Sequence, residues 1–245
     1  MKADPEAQRR LLDLQAIDTA LAQLDHRRRT LPEIPELDAL ARQLSSLEDE
    51  RLRAQVAVGD IARDVSRMEK DVEQVRVRAD RDRARLDAGT GPAKELEALQ
   101  HELTTLSRRQ SELEDAELEL MEQQERSQSV LDGIDTRLTT TRQTRAEAET
   151  RRDKSLSQID GDRRFRQDGR TKVASHLPAD LLGLYERIRE STGIGAALLR
   201  AGRCEGCRLE LSGSDRAQVK ATAPDEVVRH EECGRILVRT NESGL

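Results

Sequence analysis

Apolar residues along the first 176 positions recur at threes and fours, and that spacing predicts three helices. In the first, residues 4 to 29, Leu11, Leu14, Ile17, Leu21 and Leu24 form one stripe on an otherwise charged helix. Pro32 and Pro35 then predict a break over 30 to 36, because a proline inside a helix loses a hydrogen bond and clashes with the preceding turn. The second helix, 36 to 87, carries a stripe through Leu44, Leu47, Val58, Ile61, Val65, Met68, Val72, Val75 and Ala79. Arg51 and Asp82 fall on that stripe and are expected to weaken it locally. Steps that alternate four and three form a heptad seam, the pattern two supercoiled helices need to keep their apolar faces together.

Gly89, Gly91 and Pro92 predict a tip over 88 to 92, with glycine closing one helix and proline opening the next. The third helix keeps a seven-residue register from Leu96 and Leu99 through Leu113, Leu131, Leu138 and Ile159. The arms on either side of the tip match in length, so residue i is expected to face roughly residue 180 − i. The predicted fold class is mostly α: a long antiparallel coiled-coil hairpin over 1–177, each arm about 130 Å at 1.5 Å per residue. A small C-terminal domain over 178–245 follows. Its pattern is a short amphipathic helix from Leu181 to Arg189, then short strand-like runs at 196 to 200, 209 to 211, 227 to 228 and 236 to 238.

Composition sharpens this picture. Only 1% of residues are aromatic and 37% are charged, with Phe165, Tyr185 and no Trp. A large layered core is thereby excluded, whereas a seam of Leu, Val, Ile and Ala needs no aromatics. The net charge of −6 argues against a globally basic nucleic-acid binder. The start of the chain has no apolar signal core and no stretch is long enough to span a membrane, so a cytoplasmic protein without membrane contact is expected.

The three cysteines all lie in one pattern. Cys204 and Cys207 form a C-x-x-C turn, and His230 and Cys233 form H-x-x-C after twenty-two intervening residues. Two such turns aim three thiolates and an imidazole at one centre, a tetrahedral donor set suited to Zn²⁺. Four protein ligands leave no open position, so the expected cofactor is one structural zinc, and metal binding should supply much of the small domain's folding free energy. No nucleotide-binding loop and no nucleophile–base motif occurs, which predicts a non-enzyme with no small-molecule substrate.

The tip sequence Gly91-Pro92-Ala93-Lys94-Glu95-Leu96 and the block from Ala223 to Arg239 around His230-Glu231-Glu232-Cys233-Gly234 resemble a bacterial family that joins a long coiled coil to a C4-type zinc ribbon. The resemblance spans the whole chain, with one departure: His230 stands where the family has a cysteine. It implies a regulator or adaptor, since some relatives act in flagellar or type III secretion control through sigma-54 and messenger RNA. That replacement changes the formal charge of a loaded site from about −2 to −1.

Two partner classes follow. The region 142 to 172 holds ten basic and six acidic residues, and from it Arg151, Arg152, Arg163, Arg164, Arg166, Arg170 and Lys172 are the candidate nucleic-acid or partner contacts. The ribbon region from Arg200 onward has eight basic and eight acidic residues, hence no net basic footprint. Only Phe165 offers a platform for stacking bases. The segment 95 to 126, with ten acidic and three basic residues, suits bridging or head-to-tail association. Protein partners are therefore the favoured class and nucleic acid the alternative.

Overall fold

The computed structural model covers residues 1–245. Helix α1, Pro5–Arg29, begins on the Asp4 cap, whose carboxylate accepts from the Glu6 N–H at 2.7 Å. Helix α2, Glu33–Asp87, follows a break of only three residues. Pro35 lies inside the first turn of α2, where its missing N–H would have no helical partner. Helix α3 runs unbroken over Ala93–Ala174.

Contacts divide the chain into two compact units along a different line from the 177/178 boundary. One joins residues 1–34 with 150–245, the other is 35–149. Within the second unit α2 and α3 form the antiparallel hairpin. Leu44, Leu47, Ile134 and Leu138 bury together, and Val65, Ala79, Leu106 and Leu113 continue the seam. Arg51 avoids the seam by turning out to Asp135 at 2.6 Å, whereas Asp82 stays in it, 8% exposed and 4.0 Å from Arg78.

Near the tip Arg78 meets Glu102 at 2.6 Å, as the 180 − i rule requires. Farther along, Glu50 meets Arg137 rather than Val130, and Glu48 meets Arg142. The pairing sum thus moves from 180 near the tip to 187 and 190 farther along α2 and α3.

In the other unit, helix α4 spans Ala179–Thr192, and a four-stranded sheet is ordered β2-β1-β4-β3: β1 Ala196–Arg200, β2 Arg203–Cys204, β3 Val228–Arg229 and β4 Ile236–Val238. Strand β1 pairs parallel to β4, and the other pairings are antiparallel. Residues 209 to 211, expected as a strand, contribute only a single bridge from Glu210 to Arg203.

Period-two alternation splits the sheet between two cores. Ala196, Ile236 and Val238 face Ala3, Leu11 and Leu14 of the N-terminal segment and Leu181, Tyr185 and Ile188 of α4. Ala197, Leu199 and Leu237 face Cys204, Leu211 and Val219. Val219 belongs to helix α5, Gly213–Ala221, which lies between the strand-like runs at 209 to 211 and 227 to 228. The N-terminus is tied to the same sheet region. Ala3 donates its N–H to the Asp225 carbonyl at 2.7 Å, and Val227 donates to that of Met1 at 2.9 Å.

Candidate metal centre

Each ligand turn is closed by backbone hydrogen bonds. In the first, Arg208 donates to the Cys204 carbonyl at 2.7 Å and Cys204 donates to that of Leu209 at 3.0 Å. Arg208 there takes a left-handed φ of 63°. In the second, Gly234 donates to the His230 carbonyl at 2.8 Å and His230 to that of Arg235 at 2.9 Å. Gly206 also has a steric reason: a Cβ there would stand 2.9 Å from both the Ala197 Cβ and the Arg235 Cδ.

These turns bring the ligand atoms of Cys204, Cys207, His230 and Cys233 within 4.8 Å of one another. His230 Nδ1 lies 3.1 Å from the Cys233 sulfur and 3.4 Å from the Cys207 sulfur. A tetrahedron with ordinary Zn–S and Zn–N lengths has N···S edges of about 3.6 Å, so the donor set fits zinc with small adjustments. Burial pushes the Cys204 thiol up to about 11 in the metal-free chain. For Cys207, burial acts in the same direction, but the Leu209 N–H and the neighbouring thiols outweigh it and lower the value. His230 is 2% exposed, and its Nε2 has no hydrogen-bond partner. A histidine bound through Nδ1 carries its proton on Nε2, and no protein atom here supplies the outer acceptor that usually orients such a ring.

Residues 14–193 match the CT398-like coiled coil hairpin domain. The chain belongs to that family. A C4-type zinc ribbon matches over 203–237, and with the Cys₃His cluster it gives the chain one structural zinc, with one cysteine of the C4 set replaced by histidine. Among its relatives, the uncharacterized protein Rv2229c of Mycobacterium tuberculosis is 39% identical over 239 residues, 98% of each chain. The uncharacterized protein ML1638 of Mycobacterium leprae is 28% identical, covering 90% of this chain and 95% of the relative. A solved structure from Mycobacterium smegmatis, 35% identical, superposes with a TM-score of 0.84 over 98% of this chain and 100% of the other. The structure of CT398 from Chlamydia trachomatis shares the fold at 19% identity and a TM-score of 0.64, covering 95% and 97% of the two chains.

The seven basic candidates separate in the structure. Arg163 pairs with Asp25 at 2.9 Å, and Arg152 with its neighbour Asp153 at 2.8 Å. Arg164 donates to the Asp160 carbonyl at 3.3 Å, and Arg151 is also engaged. Arg170 lies in a part-buried network that the sequence did not reveal. It meets Asp18 at 2.6 Å and also bonds Glu186; Arg189 closes the cluster on both acids, and Tyr185 donates its hydroxyl to Asp18 at 2.7 Å. Gln15 joins in by accepting from Tyr185 and from the Gly195 N–H. The hydrogen bond to Asp18 holds Arg170 above the usual arginine range, and burial pushes the Tyr185 phenol up. Arg166 and Lys172 are exposed.

Proposed function

We propose that this member of the CT398-like family is a non-enzymatic adaptor whose ribbon, held by zinc on Cys204, Cys207, His230 and Cys233, serves as a docking head for protein partners. The observation that carries this reading is the closed donor set. Four side-chain ligands would fill a tetrahedral sphere, leaving zinc to fix the two turns rather than to activate water. The matched domains, a coiled-coil hairpin and a zinc ribbon, support a scaffold of this kind. Zinc bound there cross-links two turns that the short strands and the core around Leu199, Val219 and Leu237 also hold.

Comparative pull-downs from the native cell with the wild type and Cys204→Ser test the reading. The substitution is expected to abolish capture of at least one protein, and an unchanged set of captured proteins would count against the ribbon as docking head. Nucleic acid is the second reading, favoured by the exposed Arg166 and Lys172. A gel shift with nonspecific DNA and RNA at about 50 mM salt, where phosphate contacts are strongest, decides it; no shift removes it.

A further inference from the structure

A groove of about 410 Å³ opens in the ribbon-bearing unit between the start of α1, the end of α5 and the chain after β4. Its cationic lining comes from three separate segments, Arg9, Lys220 and Arg239, and no acidic side chain lines it; Pro5, Val219 and Leu245 supply apolar wall. Several other cations of this unit are paired: Lys2 with Asp225, Arg10 with Glu6, Arg200 with Glu242 and Arg203 with Glu210. Arg9 and Lys220 are exposed and make no such pair. Arg239 is held in place by carbonyls of the α5 terminus and the following loop, including Thr222 and Ala223 at 2.7 Å, and so adds a fixed positive charge.

The complementary surface is on the chain itself. In the hairpin unit, α3 presents Asp115, Leu118, Glu119 and Glu122 on one exposed face, at the i, i+3, i+4 and i+7 spacing. Leu118 is 60% exposed and the adjacent Met121 44%. Asp115 and Glu119 make no ion pair, although Glu122 pairs with Arg126 and Glu112 with Arg108 and Arg109. Two unpaired carboxylates with a leucine between them are opposite in charge to the two unpaired cations of a groove that also has apolar lining.

We infer that the groove of one copy takes the acidic face around Leu118 of a second copy, so that the protein self-associates head to tail. This goes beyond the adaptor reading and is separable from it, because that reading is judged by capture of other proteins. A contact between two unlike patches propagates unless geometry closes it, so average mass should rise with concentration. Sedimentation of the zinc-loaded full chain from about 5 to 200 µM should show this rise at about 50 mM NaCl and its loss at about 500 mM, because the pairs are exposed and screened.

Arg9→Glu with Lys220→Glu should hold the chain at its 27.6 kDa monomer mass, and so should Asp115→Lys with Glu119→Lys. Mixing the two variants should restore association, since the acidic face of the first fits the unaltered groove of the second and the swapped pair fits in turn. All four positions are exposed, and unchanged circular dichroism will show that the variants fold. A wild type that stays monomeric over the whole range at low salt overturns the inference. So does a mixture that stays monomeric while the wild type associates.

Discussion

At the scale of single residues, two positions carry consequences that their neighbours do not. His230 is a nearly buried ring whose Nε2 has no acceptor. A buried donor without a partner costs about 1 to 3 kcal/mol. His230→Cys removes that donor and supplies a fourth thiolate, so zinc should be lost more slowly to a chelating competitor; faster loss would show that the histidine is the better ligand here. Gly195 sits where a Cβ would come 2.5 Å from the Tyr185 ring and 2.7 Å from its carbonyl oxygen. Gly161, inside α3 more than ten residues from its end, has nothing within 4 Å of that position. Alanine should therefore lower the melting temperature at 195, by crowding the joint between α4 and β1, and raise it at 161. The gain at 161 should be about 0.5 to 1 kcal/mol, the ordinary helix preference of alanine over glycine. Thermal unfolding followed at 222 nm reads both, and a melting temperature at 195 equal to the wild type's would mean that Tyr185 shifts at no cost.

At the scale of elements, the sequence made the helices legible and left the joint between them hidden. Heptad spacing marks Leu47, Ile134 and Leu138 because a seam repeats for many turns, and the ligand turns stand out because Cys and His are rare in this chain. Asp18, Arg170, Glu186 and Arg189 look like any other charges on helix surfaces, and only the tertiary meeting of α1, α3 and α4 makes them a cluster. Tyr185 reads as apolar on a helix stripe, yet its hydroxyl is bonded to Asp18. Helix α5 did leave a signal: Ser212 and Asp215 stand at capping spacing, and the Ser212 hydroxyl accepts from the Asp215 N–H at 3.1 Å. The network itself can be tested by Asp18→Ala. The Asp18 side chain is 4% exposed and faces two arginines and a phenol, so its removal takes one acceptor from each while Glu186 and Gln15 remain, at a cost of about 1 to 3 kcal/mol. Guanidinium unfolding of that variant should show a matching fall in midpoint. A loss under about 1 kcal/mol would mean that Glu186 takes over the arginines.

At the scale of the whole molecule, the two faces of the sheet decide what zinc holds up. An expectation from the sequence is that chelation melts 196 to 240 as a block and spares the coiled coil. The packing points to a finer division. Ala197, Leu199 and Leu237 share their core with Cys204 and with α5, so the metal and that core stand or fall together. Ala196, Ile236 and Val238 share theirs with α1 and α4, where Leu11, Leu14, Leu181 and Tyr185 are at most 1% exposed and the Asp18 network adds support. Hydrogen exchange before and after chelation should therefore lose protection across residues 203 to 234 and keep it in α4 and in α1 around Leu11 and Leu14. A chain ended at residue 177 removes both faces of the sheet together with α4, uncovering Leu11 and Leu14. Trypsin should then cut that shortened chain rapidly at Arg9 and Arg10, while cutting within 35–149, which keeps its own seam, stays slow. If chelation alone exposed Arg9 and Arg10 to the same degree, the two cores would be one cooperative unit and the sheet would not divide them.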